Sequence, residues 1–299
     1  LKFAAIDIGS NAARLLIVDV IEQKNKKPEF NKINLVRVPL RLGLDVFKSK
    51  QISPEREDMI LESMQAFRHL LSAYQVPYLR ACATSAMRDA KNSSEIIEKV
   101  KKAADINIEI ISGDEEASLV FENHFAESLD SKNGYLYIDV GGGSTELSFF
   151  KDGKHIYRKS FNIGTIRILQ GLVTKENWEE LQLAIKTYIK NASVPLTAIG
   201  SGGNINKVFS MSKRKDGTPL HLPLLKEYLT ELEPLTVIER IEKFNLREDR
   251  ADVIVPALQI YVNVMKWAGI KEILVPKIGL ADGLIHKMYA DFLIRTIKK

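Results

Sequence analysis

Apolar residues run almost unbroken through positions 3–8 and 13–20, with the small residues "GSNA" between them. That pattern predicts two buried strands joined by a tight turn. "INLVRVPLRLG" reads as a further extended segment. From Ser53 the period changes. Ser53 is placed as a helix cap and Pro54 at the first helical position, and Ile60, Met64, Phe67 and Leu71 fall on one face. "YLRACATSAMRDAKN" predicts a strand running into a loop, and "INIEIIS" another strand. Ser112, with Glu115 three residues on, opens a helix through "SGDEEASLVFENHFAESL". The polar, turn-rich stretch around 124–134 then marks a domain junction. From Tyr135 the scheme begins again. Helices are predicted over "TKENWEELQLAIKTYIK", after "GSGG", and as one long helix over "REDRADVIVPALQIYVNVMKWAG"; a strand "EILVP" and a closing helix from Leu280 follow.

The restart is a duplication. Ile6-Asp7-Ile8-Gly9 matches Ile138-Asp139-Val140-Gly141, and each leads through small residues into an apolar run that places Arg14 opposite Glu146 in the alignment. A weaker echo is "LTAIGSGGNINKVF", where an apolar strand enters Gly200, Gly202 and Gly203. The two main copies lie about 130 residues apart, which means related domains and not a short-period solenoid.

Composition narrows the class without naming a chemistry. The 299 residues allow two cores, and 45% hydrophobic with 27% charged residues is ordinary globular composition. The net charge of +5 suits an anionic substrate, but the densest basic cluster, Lys213-Arg214-Lys215, reads as a solvated loop. A single cysteine, Cys82, excludes internal disulfides and agrees with a reducing compartment, so the expected location is cytoplasmic. Five scattered histidines give no zinc-ligand spacing, and no apolar run has membrane-spanning length. Cys82 and the methionines read as core filling, and Trp178 and Trp267 as helix packing.

The glycine turns carry the chemistry. Consecutive backbone N–H groups in a tight turn make a nest for phosphate oxygens, and glycine permits the close approach. Gly9, Ser10 and Asn11 in the first copy, Gly141, Gly142, Gly143, Ser144 and Thr145 in the second, and Gly202 and Gly203 in the echo are the phosphate-binding candidates. Asp7 and Asp139, each at a strand end, are placed to hold Mg²⁺, a hard cation that takes one or two carboxylates plus water and phosphate oxygens. Of the acidic run Asp114-Glu115-Glu116, helix-start electrostatics alone explains much, and Glu115 suits the capping position.

"IDIGSNAARLLI", "ATSAMRDAKN", "IISGDEEASLVF", "YIDVGGGSTEL" and "AIGSGGN", in that order, resemble the exopolyphosphatase and guanosine pentaphosphate phosphohydrolase (Ppx/GppA) family of the actin, sugar-kinase and Hsp70 superfamily. The resemblance runs over nearly the whole chain. It implies an α/β fold of two ribonuclease-H-like (actin-like ATPase) domains with an interdomain cleft. The first would span 1–126, with the helix 281–299 packing back on it, and the second 127–280. It implies Glu116 as catalytic base, Glu146 as a second active-site carboxylate, and Arg88 as a phosphate-binding arginine, with Thr84 and Ser85 as hydroxyl donors. Some positions depart from the family pattern. Ala12 replaces a common serine, Ala281-Asp282 a common Arg-Glu pair, and the extra C-terminal domains of longer relatives are expected to be missing, which weakens the grip on long polyphosphate.

The expected activity is Mg²⁺-assisted attack of water on a terminal phosphoanhydride of inorganic polyphosphate or guanosine pentaphosphate (pppGpp). Neither a nucleic acid nor a membrane is an expected partner, and a homodimer is allowed. An ATP-dependent phosphotransferase of the same superfamily and a non-catalytic polyphosphate- or (p)ppGpp-binding protein are the alternatives.

Overall fold

The computed structural model describes residues 1–297 except 24–25, 122–129, 131–132, 153, 191 and 193. In chain order the first elements are β1 (Lys2–Ile8), β2 (Ala13–Ile21), β3 (Glu29–Val38), α1 (Gly43–Ser49), α2 (Pro54–Ala73), β4 (Tyr78–Ala83), α3 (Ser85–Asp89), α4 (Ser93–Ala104), β5 (Ile108–Ile110) and α5 (Gly113–Phe121). There follow β6 (Gly134–Val140), β7 (Thr145–Lys151), β8 (Lys154–Phe161), α6 (Thr165–Leu169), α7 (Lys175–Tyr188), β9 (Leu196–Ser201) and α8 (Gly203–Met211). The last are β10 (Leu220–His221), α9 (Leu222–Leu232), α10 (Val237–Phe244), α11 (Glu248–Ala251), α12 (Ile254–Ala268), β11 (Glu272–Leu274) and α13 (Leu280–Ile297).

Two compact units result, Leu1–His124 with Gly279–Lys299, and Phe125–Ile278. The junction expected around 124–134 falls largely outside the described residues. Each unit holds one mixed sheet. The first runs β3-β2-β1-β4-β5 and the second β8-β7-β6-β9-β11-β10. In both, three antiparallel strands form a meander, and the first strand of that meander pairs in parallel with the next strand in sequence. The duplicated motif is therefore the same central hairpin of the same sheet topology.

Burial follows from the patterning. β1 and β6 are covered on both faces, which is why they read as continuous apolar runs instead of alternating ones. In the first unit Phe3, Ala5, Leu16 and Val18 pack against Leu280, Leu284, Ile285 and Tyr289 of α13. Gly283 lets α13 cross α5 at close range, since a Cβ there would overlap the Leu119 carbonyl. Asp282, at one of the positions that depart from the family pattern, accepts the Gly279 N–H at 3.0 Å and pairs with Lys32 at 2.5 Å, so it secures the start of this helix. In the second unit α12 is the core helix, with Ile254, Leu258, Tyr261 and Met265 fully buried. Trp178 and Trp267 meet edge to face at 6.0 Å, as packing residues. Cys82 is buried, and burial pushes its thiol up to about 12, so it is an inert core residue. No described helix is long and apolar enough to cross a membrane.

Several elements differ from the sequence reading. Residues 85–89 form a short helix, not a loop, and the short helix 43–49 had no counterpart among the expected elements. The long helix expected over 247–269 is broken at 252–253 into α11 and α12. Pro256 has no N–H to give the carbonyl four residues back, so the helix restarts with Pro256 inside its first turn. α9 and α10, whose start is a Thr236–Glu239 capping box, had no counterpart among the expected elements.

Candidate active site

The second unit builds its site on the β6–β7 hairpin. Asp139 and Glu146 are direct partners in that ladder, and Glu146 is in turn partnered by Ser160 on β8 and Asp139 by Ser201 on β9. Partnered residues on neighbouring strands project to one face. Ser201, Asp139, Glu146 and Ser160 therefore form a polar row across four strands of the sheet. Glu146 is 3% exposed, and the Ser160 hydroxyl donates to its Oε1 at 2.7 Å. Carboxylates directly opposite each other repel, on the order of 3 kcal/mol at about 5 Å and an effective dielectric constant near 20. Such a pair of hard oxygen donors fits Mg²⁺ or another small divalent cation.

Beyond the row, the chain turns through Gly141–Ser144. The Gly141 N–H closes the turn onto the Ser144 carbonyl at 2.9 Å, so this amide is spent inside the hairpin. The next three carbonyls are held by α6. Thr165 N–H donates to Gly141 O at 3.0 Å, Ile166 N–H to Gly142 O at 2.8 Å, and Arg167 Nε to Gly143 O at 2.7 Å. The two backbone amides are donors that a helix start must satisfy somewhere, and the loop receives them. A trans peptide carries its N–H antiparallel to its C=O, and no peptide here is cis. Fixing the carbonyls of 141, 142 and 143 therefore aims the N–H groups of Gly142, Gly143 and Ser144 away from α6, side by side. That is the nest geometry the glycines predicted, with α6 as its support. Gly164 makes the support possible, because a Cβ there would lie 2.4 Å from the Gly142 oxygen.

The third glycine turn closes on the same spot. Gly202 takes φ +104° as the residue before α8, and a Cβ on it would lie 3.2 Å from Asp139 Oδ1. Beneath it, Tyr261 of α12 donates to the Ser201 carbonyl at 2.5 Å, and burial with Asp139 close by keeps its phenol well above the usual range. Gly203 sits against Arg250, whose Nη1 donates to Asn204 Oδ1 at 3.0 Å.

The first unit repeats the hairpin with one change of charge. Gly9 N–H closes onto Ala12 O at 3.0 Å, as Gly141 does onto Ser144. Gly43 N–H holds Ser10 O and Arg41 N–H holds Asn11 O, each at 2.9 Å, which aims the amides of Asn11 and Ala12 in the manner of the second loop. Ser10 and Ser85 share a buried hydroxyl–hydroxyl hydrogen bond at 2.7 Å. Opposite Asp7, however, stands Arg14, with Nη1 2.8 Å from Oδ2. Burial raises the Asp7 pKa, against the pull of the Arg14 guanidinium.

Several expectations change on this geometry. Asp7 already has a cation in Arg14, so the two strand-end aspartates are not equivalent metal ligands. Thr145 is fully buried and donates its hydroxyl to Ile163 O at 2.6 Å, so that group braces the hairpin. The amides of Gly9 and Gly141 close turns. Arg88 is exposed on α3 and spends one N–H on the Ile111 carbonyl at 2.6 Å. Thr84 is buried directly before α3. Glu116 lies in the first turn of α5, its N–H bonded to Ser112 O at 2.9 Å. Glu115 has its N–H capped by the Ser112 hydroxyl and its carboxylate on Arg80 at 3.2 Å, so it is the structural member of the pair. Sequence reading missed Ser201, Gly164 and α6 with Arg167.

The Ppx/GppA phosphatase family profile matches residues 20–292. Exopolyphosphatase 1 of Mycobacterium tuberculosis is 24% identical over 308 residues, covering 95% of this chain and 87% of that protein. The bifunctional 3-dehydroquinate synthase/phosphatase of Fusobacterium nucleatum is 28% identical over 288 residues; the alignment takes in 89% of this chain but only 43% of that longer protein. An exopolyphosphatase structure from Cytophaga hutchinsonii superposes with a TM-score of 0.82 at 24% identity, covering 96% of this chain and 97% of that one. At that identity the likeness speaks for the fold, the two-domain actin-like ATPase architecture.

Proposed function

Because the chain belongs to the Ppx/GppA phosphatase family, we propose that it releases the terminal phosphate of inorganic polyphosphate, and of pppGpp as a chemically equivalent substrate, by direct attack of water. The observation that carries this reading is the Asp139–Glu146 pair beneath the glycine turn. It offers a divalent-cation site next to a row of aimed backbone amides, and a phosphoanhydride needs both. Residues 1–126 with 281–299, and 127–280, are the two functional domains in this reading.

Each residue then has a role. Asp139 holds Mg²⁺, with Glu146 facing it as the second carboxylate. When bound, the ion offsets charge on the transferring phosphoryl and leaving oxygens. The amides of Gly142, Gly143 and Ser144 receive phosphoryl oxygens, with those of Gly202 and Gly203 as further donors in the same unit; Asn11 and Arg88 are the candidate phosphate donors of the first unit. Glu116 accepts a proton from the attacking water as its oxygen bonds to phosphorus. The anhydride P–O bond breaks, and the shortened polyphosphate or guanosine tetraphosphate leaves with the bridging oxygen. Asp7, neutralised by Arg14, shapes the first loop and takes no part in holding the ion.

The test is phosphate release from polyphosphate, pppGpp and ATP, with and without Mg²⁺. Mg²⁺-dependent release from polyphosphate or pppGpp, faster than from ATP, is the expected result. Turnover of ATP that requires a phosphoryl acceptor would point to a phosphotransferase, and binding without release would point to a sensor.

A further inference from the structure

Ser201 ends β9 in register with Asp139, on the same face of the sheet. Three members of the polar row are the two facing carboxylates and Ser160, which donates to Glu146. Ser201 is different. It is 1% exposed, and its Oγ has no hydrogen-bond partner. A buried hydroxyl without a partner is a standing cost that calls for an explanation. The backbone around it is not loose. Tyr261 holds the Ser201 carbonyl, and Gly202 turns the chain at once toward Asp139.

We infer that the Ser201 hydroxyl holds a water of the hydration shell of a divalent cation bound at Asp139. The inference rests on the reading above that Asp139 carries the ion. Asp139 and Glu146 already supply the one or two carboxylates that Mg²⁺ takes from a protein, so a neighbouring hydroxyl would meet the ion through one of its waters. Magnesium keeps several waters when a protein binds it, and groups that orient them set affinity without touching the metal. A hydroxyl, which accepts as well as donates, suits a polarised water better than a second carbon would.

The experiment is Mn²⁺ binding to the full chain, followed by electron paramagnetic resonance, in the parent, Ser201→Ala and Asp139→Asn, with melting of each in chelator. One site in the parent, lost in Asp139→Asn and roughly tenfold weaker in Ser201→Ala, is expected. Without metal, Ser201→Ala should melt at or above the parent, because the orphan hydroxyl is gone. Parental Mn²⁺ affinity in Ser201→Ala overturns the inference and leaves the ion reading standing, provided Asp139→Asn has lost the site. Asp139→Asn binding as tightly as the parent removes both. Ser201→Ala melting well below the parent in chelator also overturns the inference, since the hydroxyl would then have a structural partner.

Discussion

Asp139 faces Glu146 across β6–β7 at the register position where Asp7 faces Arg14 across β1–β2. One duplicated hairpin thus carries a salt bridge and the other two facing carboxylates. The first arrangement neutralises itself. The second sets two acidic oxygen donors side by side, which suits a small divalent cation, and the proposed reaction puts the ion there.

The carboxylate pair should reveal itself in stability before any substrate is added. Glu146→Gln removes one of two repelling charges, so in chelator it should melt a few degrees above the parent. Saturating Mg²⁺ should reverse the order. An ion bound only by the folded state adds about 2.7 kcal/mol at a hundred times its dissociation constant, and the variant forfeits much of this. Thermal unfolding of both proteins, with and without Mg²⁺, checks it. A parent whose melting ignores Mg²⁺ would contradict the assignment.

The first hairpin predicts the opposite behaviour. Arg14→Leu strands a buried carboxylate, and its loss should destabilise the fold by roughly 1–3 kcal/mol whatever the Mg²⁺ concentration. Adding Asp7→Asn to that variant should recover part of the loss, because the charge left behind is then removed. Chemical denaturation of the single and double variants measures the recovery.

Gly164 tests the support of the phosphate loop. Gly164→Ala places a methyl 2.4 Å from the Gly142 oxygen, so the turn must shift and its amides lose their aim. Substrate KM should rise about tenfold or more, as expected when several hydrogen bonds to phosphate weaken together. Gly171→Ala is the control, since Gly171 has φ +67° with nothing within 4 Å of the added carbon. It should cost about 1 kcal/mol of stability with normal kinetics. Equal kinetic effects in both variants would remove the positioning role.

Asp45 gives the first unit a pH signature. Burial alone would raise its pKa, but hydrogen bonds from Ser53 and Arg56 hold it below the usual aspartate value. A depressed folded-state pKa contributes stability that is fully present above the unfolded value and is lost as pH falls through the folded one. Asp45→Asn should therefore melt below the parent at pH 7, and the gap should close below about pH 4. A gap that stays constant down to pH 3 would contradict the pairing.

Much of this architecture was legible in the chain, for reasons of spacing. The Asp-x-Gly-small repeats gave the duplicated hairpin and the Arg14/Glu146 exchange, because strand alternation carries the alignment past the turn. What the loop amides do was not legible. Gly9 and Gly141 looked like phosphate donors, and only the three-dimensional turn shows that their N–H groups close onto Ala12 and Ser144. Thr145 faced the same ambiguity: a hydroxyl after a glycine run reads as a ligand donor until its bond to Ile163 is seen. α6 is five residues long, too short to show a helical period, so Gly164 and Arg167 carried no signal. Ser201 lies between Gly200 and Gly202, and a lone serine in a glycine turn carries no signal of burial or of a missing partner. The break before α12, by contrast, was written in Pro256 and could have been read.

In the proposed reaction the second hairpin carries the ion that hydrolysis needs. The most direct test of that role is the initial rate of phosphate release from polyphosphate as a function of free Mg²⁺, for the parent and for Asp139→Asn. Release should be absent in chelator and rise saturably with Mg²⁺ in the parent, while Asp139→Asn should be at least about a hundredfold slower and need more Mg²⁺ for half its maximum. Parental release in excess chelator, or an unchanged Mg²⁺ curve in Asp139→Asn, would contradict it.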